Sequence, residues 1–212
     1  MEIMHSYISI EGNIGAGKTS LAKLLAEEWQ GKLVLEEFAD NPFLPKFYEN
    51  RERYAFPLEL SFLAERYSQL KEVLNSMDMF NRRIVSDYFI SKCLIFSKAN
   101  LSGAEYDLFA KMFYIIEQNL PQPDLMVYLH LPIDQLLENI AKRGRAYEQS
   151  ISAEYLAEVQ QSYMGFIKQH PNRKIIVLDT SNLDFVNMQT DFEKVKDLLL
   201  VDYAPGVHHI QV

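Results

Sequence analysis

Short apolar runs alternate along this chain with longer stretches in which apolar residues recur every three to four positions. Tyr7–Ile10, Leu33–Glu36, Ile84–Ser86, Leu125–His130 and Lys174–Leu178 are brief and largely apolar. That is the pattern of parallel strands covered on both faces. Between them, Leu58–Leu74 spaces Leu60, Leu63, Tyr67, Leu70 and Leu74 at helical intervals, and Ala104–Gln118 does the same with Leu108, Phe109, Met112, Phe113 and Ile116. Asp134–Lys142 and Ser152–Lys168 read as further helices, the second with Ser152 as a weak cap. Alternating strands and helices imply a three-layer α/β fold with right-handed crossovers and a five-stranded parallel sheet. Pro121-Gln122-Pro123-Asp124 is a sharp stop before a strand, and no linker, repeat or low-complexity segment divides the chain, so residues 1–212 read as one domain. The tail from about Asp202 is expected to be loose.

The junction after the first strand carries chemistry. Gly12, Asn13, Ile14, Gly15, Ala16, Gly17, Lys18 and Thr19 fit G-x-x-x-x-G-K-[ST] at every fixed position. Glycines let successive N–H groups point inward at a phosphate, and the helix opened by Ser20 adds the positive end of its dipole. Lys18 reaches the outer phosphates in such a loop, and the Thr19 hydroxyl is a ligand for Mg²⁺. The expected ligands are therefore ATP and Mg²⁺.

Composition narrows the partners. The formal net charge of −8 argues against general affinity for nucleic acid. No apolar run approaches the roughly 18–20 residues that span a bilayer, and Met1–Ser6 lacks the features of a secretory signal. A single cysteine, Cys93, excludes an internal disulfide and suits a reducing cytosol, so a cytoplasmic protein with neither membrane nor nucleic-acid partner is expected. A polyanionic ligand in an acidic chain demands local positive charge. Lys142-Arg143-Gly144-Arg145, followed by Glu148, supplies it. Arginine stabilises a phosphoryl group in transfer through its fixed donor fork, and a glycine-broken basic cluster after a helix suits a lid, here about residues 139–150.

In open α/β sheets, ligands gather at the carboxyl ends of strands. The second strand ends in Glu36-Glu37 and the third in Ser86-Asp87-Tyr88. A hydroxyl acceptor must lose its proton as it takes a phosphoryl group, which gives one of Glu36 and Glu37 the role of base and Asp87 that of metal organiser.

These residues, in this order, resemble the deoxynucleoside kinase family, which moves the γ-phosphate of ATP to the 5′-hydroxyl of a deoxynucleoside. The likeness runs from the phosphate loop to near residue 185. Glu36-Glu37-Phe38-Ala39 matches the family's Glu-x-[Val/Phe]-Ala, which implies that Glu36 is the base. Tyr48-Glu49 matches a segment whose tyrosine touches the sugar 3′-hydroxyl. Glu59 and Arg66 occupy the positions of a Gln and an Arg that read the base. Arg143-Gly144-Arg145-Ala146-Tyr147-Glu148 matches the family lid, which implies phosphate contacts for Arg143 and Arg145 and a 3′-hydroxyl contact for Glu148. Leu178-Asp179…Asp184-Phe185 is similar to the loop around the adenine of ATP. The resemblance also implies a homodimer, with the apolar helices Leu58–Leu74 and Phe89–Ala99 as candidate faces.

The departures from the pattern bear on substrate. Asp87-Tyr88-Phe89 stands where mammalian and insect members have [Glu/Asp]-Arg-Ser, so any role of that arginine is filled elsewhere or lost; the form looks like bacterial members. Asn139 replaces a frequent lid arginine. Cys93, otherwise read as a small buried hydrophobe, replaces an aspartate, leaving Arg66 freer to donate. Glu59 replaces the glutamine. A carboxylate only accepts, which suits guanine N1–H and N2–H₂, while Arg66 suits guanine O6 and N7. A purine deoxynucleoside is the expected substrate, deoxyguanosine over deoxyadenosine, unless Glu59 and Arg66 simply pair along the helix. A nucleoside monophosphate kinase of the thymidylate type is the alternative, with Arg51, Arg53 or Arg66 reading the acceptor phosphate. A nucleotide-gated switch would need an [Asn/Thr]-Lys-x-Asp element, which the chain lacks.

Overall fold

A computed structural model of the protein describes residues 5–37, 41–75 and 83–212, with side chains not described at 74 and 75. Phe38 and Ala39 lie outside them, as does the Leu74 side chain. The strands are β1 (Tyr7–Gly12), β2 (Lys32–Val34), β3 (Ile84–Ser86), β4 (Leu125–His130), β5 (Lys174–Asp179) and β6 (Gly206–Gln211). They form one sheet in the order β2-β3-β1-β4-β5-β6, with every pairing parallel. The expected five strands become six. The sixth is the tail anticipated as loose: Gly206–Gln211 pairs residue by residue with Lys174–Asp179. Its alternation of half-buried and exposed positions is an edge-strand pattern, weaker than the continuous apolar runs of the centre.

The helices are α1 (Lys18–Glu28), α2 (Leu44–Glu49), α3 (Arg51–Asn75), α4 (Ser91–Asn100), α5 (Gly103–Glu117), α6 (Ile133–Arg143), α7 (Ala153–Gln169) and α8 (Gln189–Leu199). α2 and α8 were not anticipated; the first is short and proline-bearing, the second polar on its outer face. α3 starts seven residues before the expected Leu58 and carries Pro57 within it. Asn50 caps it, Oδ1 accepting from Arg53 N at 3.1 Å. Its buried stripe is Ala55, Leu58, Glu59, Phe62, Leu63, Arg66 and Leu70, which puts two charged residues in an apolar row. Ser152 does cap α7, accepting from Tyr155 N at 3.2 Å. No helix among the described residues is long and apolar enough to cross a membrane.

Candidate active site

Topology assembles the site. β2, β3 and β1 are neighbours, so residues just past their carboxyl ends converge. Gly17, with φ 85°, precedes the first turn of α1, placing Lys18 and Thr19 at its N-terminus. The phosphate loop is held from three sides. Asn13 Nδ2 donates to Leu156 O of α7 at 2.7 Å, and Asn13 Oδ1 accepts from Ile14 N at 2.8 Å. Asn139 of α6 donates to Gly15 O at 2.9 Å. Phe185 packs over Gly17, within 3.1 Å of where a Cβ would stand. The asparagine in place of a lid arginine thus braces the loop, and the Asn13 side chain is occupied away from any phosphate.

Asp87 joins the strand ends. Its Oδ2 accepts from the Thr19 hydroxyl at 2.5 Å and its Oδ1 from Glu36 N at 2.8 Å. Hydroxyl and carboxylate oxygens side by side suit a hard cation that keeps its waters and phosphate ligands. Among the described residues no group of three or more His, Cys, Asp or Glu forms an all-protein metal cage.

Of the adjacent glutamates, Glu37 is exposed and Glu36 enters the cavity. Arg66 donates to Glu36 Oε1 through Nε at 2.8 Å and also through Nη2, while Lys92 Nζ donates to Glu36 Oε2 at 2.5 Å. Burial alone would raise the Glu36 pKa; Arg66 and Lys92 overcome it and hold the carboxyl well below the usual range. Lys18 donates to Asn13 O at 2.8 Å, and burial together with Lys92 depresses its pKa.

Glu59, 1% exposed, is also in the cavity wall. Its Oε1 accepts from Asn100 Nδ2 at 2.6 Å; its Oε2 is enclosed without a partner. Burial pushes its pKa to about 7, against the Asn100 hydrogen bond and Arg66. Glu59 and Arg66 do not pair along the helix. Nor is Arg66 left free by Cys93: its Nη1 donates to Cys93 Sγ at 3.0 Å and the rest of its fork is on Glu36. The thiol is buried, its pKa pushed up to about 11 by that burial, so it serves as a soft acceptor in the wall. Phe47, Leu58, Phe62, Phe96 and Tyr155 supply apolar wall.

The lid closes the other side. α6 ends at Gly144, whose φ of 71° is the left-handed C-cap glycine favours. Arg143 donates to Glu148 Oε2 at 3.0 and 2.5 Å, and Arg145 to Glu148 Oε1 at 3.1 Å. The carboxylate expected at a sugar hydroxyl therefore bridges both lid arginines. Tyr147 stacks on Tyr48 of α2, centroids 6.1 Å apart. Glu36, Lys18, Thr19, Tyr48, Glu59, Arg66, Asp87, Arg143, Arg145 and Glu148 all line this one cavity. Ser20 and Asp184 do not. The Asp184 carboxylate accepts from Asn187 N and Nδ2 in its own turn. Arg51 and Arg53, kept as readers of an acceptor phosphate, also lie outside. Arg51 pairs with Glu158 at 3.1 Å and Arg53 rests over the Tyr54 ring.

Three residues escaped sequence reading. Lys92 and Asn100 lie on α4, where a lysine among apolar neighbours looks like a solvated position. Glu11 sits fully buried in β1, accepting from Phe89 N at 2.6 Å and Tyr163 OH at 3.0 Å. It anchors the segment leading into α4. Its signal was a carboxylate inside an apolar strand.

Residues 8–200 match the deoxynucleoside kinase family. A deoxyguanosine kinase of Bacillus subtilis (strain 168) is 35% identical over 193 residues, 89% of this chain and 93% of that protein. A deoxyadenosine/deoxycytidine kinase of the same organism is 30% identical over 197 residues, 91% of each. The solved structure of deoxyadenosine kinase from M. mycoides with bound dATP superposes with a TM-score of 0.78 at 25% identity, covering 91% of this chain and 98% of that one. The family match spans both the phosphate loop and the cavity beyond it, and the chain belongs to the deoxynucleoside kinase family, a phosphotransferase acting on deoxynucleosides.

Proposed function

We propose that this enzyme transfers the γ-phosphate of ATP to the 5′-hydroxyl of a purine deoxynucleoside, deoxyguanosine over deoxyadenosine. The observation that carries the reading is the Glu59 carboxylate, buried in the cavity wall with one oxygen unpartnered and within electrostatic reach of Arg66. Ionised, it accepts from guanine N1–H and N2–H₂; the Arg66 fork donates to O6 and N7. Adenine offers no such pair of donors, and an unmatched buried polar group costs roughly 1–3 kcal/mol, or about ten- to a hundredfold in discrimination.

The rest of the chemistry follows from the same cavity. A base that draws Arg66 away uncovers Glu36 Oε1, which then accepts the 5′-hydroxyl proton. Lys18, Arg143 and Arg145 stabilise charge on the transferring group, and the phosphates restore the Lys18 proton that burial disfavours. Thr19 and Asp87 would hold Mg²⁺, whose chemistry is charge neutralisation on the phosphates. Backbone N–H groups of Gly12–Thr19 and the neighbouring Ser20 cradle ATP, with Asp184 and Phe185 beside its adenine. Tyr48 and Glu148 take the 3′-hydroxyl. Phe89–Ala99, one of the two expected dimer faces, is largely buried within the protomer; the exposed apolar positions Leu108, Met112 and Ile115 on one face of α5 support a homodimer instead. The single unpaired cysteine supports work in a reducing cytoplasm.

Steady-state kcat/KM for the four deoxynucleosides and their monophosphates, on wild type and Glu36→Gln, tests this reading. Deoxyguanosine leads, the monophosphates are not turned over, and Glu36→Gln lowers kcat by about 10²–10⁴-fold. Equal use of deoxyadenosine overturns the base assignment, and a fully active Glu36→Gln overturns the base role.

A further inference from the structure

The position after Asp87, an arginine in part of the family, is here Tyr88, whose hydroxyl donates to Gln69 and lies outside the cavity. The cation comes from one helical turn later. Lys92 stands in the first turn of α4, 6% exposed, on a segment where Ser91, Cys93, Leu94 and Ile95 are buried too. A lysine is rarely buried unless paired. Its Nζ lies 2.5 Å from Glu36 Oε2 and it lines the same cavity as Lys18 and Asp87.

We propose that Lys92 is the positioning residue for the proton-accepting carboxylate, fixing Glu36 by Oε2 so that Oε1 faces the acceptor hydroxyl. The inference rests on the reading of Glu36 as the base. The two cations on Glu36 are not equivalent. Arg66 grips Glu36 through Oε1 and faces Glu59, where a bound base competes for its donors; Lys92 is also within electrostatic reach of Glu59, but its hydrogen bond is to the other oxygen of Glu36, Oε2. When Arg66 turns to a purine, Lys92 still holds Glu36. α4 is set for this by Glu11, which grips Phe89 N at 2.6 Å just before the helix. Lys92 thereby occupies a place fixed by the strand beneath it, four residues after Tyr88.

A double-mutant cycle on kcat tests the assignment, with Lys92→Met, Lys92→Arg, Glu36→Gln and Lys92→Met/Glu36→Gln. Lys92→Met is expected to lower kcat about 10- to 100-fold with both KM values within about threefold, because the contact acts on the transition state more than on binding. Lys92→Arg, which keeps the charge, recovers most of the loss. In the Glu36→Gln background the lysine substitution costs less than about twofold more, since its target is already gone. Additive losses, an unchanged kcat in Lys92→Met, or equal loss in Lys92→Arg each overturn the proposal. If Lys92→Met folds poorly, Lys92→Arg keeps the buried charge and the comparison of its kcat in the wild-type and Glu36→Gln backgrounds carries the test. A Glu36→Gln enzyme with wild-type kcat removes the base reading itself; a dead Glu36→Gln with a fully active Lys92→Met removes only the role of Lys92.

Discussion

Glu59→Gln should make the free enzyme more stable while lowering its kcat/KM for deoxyguanosine, and the gain should depend on pH. The carboxyl has an ordinary pKa of 4.5 and is raised to about 7 by burial. The folded chain therefore keeps a proton that the unfolded chain releases between those values. Its stabilising contribution is complete below pH 4.5 and is lost as pH rises to about 7, staying low above it. The glutamine does not titrate, can keep the Asn100 hydrogen bond through its carbonyl, and at low pH is nearly isosteric with the protonated acid. Linkage then puts the advantage of Glu59→Gln at about 1 kcal/mol at pH 5 and about 3 kcal/mol at pH 8. For a domain of this size each kcal/mol is about 2–4 °C in Tm, so the difference in Tm between the two proteins should widen by about 5–10 °C over that range. Thermal unfolding of both proteins, without nucleoside, at pH 5, 6, 7 and 8 measures it. Glu11 and Lys18 titrate in both and drop out of the comparison. Parallel Tm curves would refute the reasoning, since they would mean that Glu59 is solvated or already paired. A purine ratio unchanged from wild type would independently remove it as a base reader.

Two further substitutions probe loop and lid. Gly15→Ala places a Cβ 2.7 Å from Leu136 O at a φ of 85°, which should cost about 2–4 kcal/mol and raise the KM for ATP at least tenfold; an undisturbed Tm and KM would show that α6 yields. Glu148→Gln removes the carboxylate that bridges Arg143 and Arg145, and kcat/KM with a deoxynucleoside should approach that with its 2′,3′-dideoxy counterpart. A preserved preference for the 3′-hydroxyl, measured as that ratio, would take Glu148 out of sugar recognition.

Much of the fold was legible because the central strands are short, largely apolar runs, the pattern expected of burial on both faces. β3 and β4 appear at the expected residues, and β1 and β5 within two. β6 was not legible, because an edge strand with one partner needs less apolar surface and its register comes from β5. The start of α3 was hidden by Pro57, which local rules place at a boundary; Asn50 and the packing of Ala55 and Leu58 hold the helix through it.

By itself the sequence determined the phosphate loop, the pair of strand-end carboxylates and the basic lid. Each is a local arrangement whose spacing already implies its chemistry: glycines that open a backbone cradle, or arginines clustered against an acidic background. The family-like Glu-x-[Val/Phe]-Ala run pointed to Glu36 over Glu37, and only the tertiary structure decided that Arg66 grips Glu36 instead of Glu59. It also decided that Glu59 keeps an unpartnered oxygen and that Lys92 is buried against the carboxylate. The two ion pairs on Glu36 join residues 30 and 56 positions apart in sequence. Their geometry depends on how far α3 and α4 pack onto the sheet, and helical or strand periodicity carries no information about that distance.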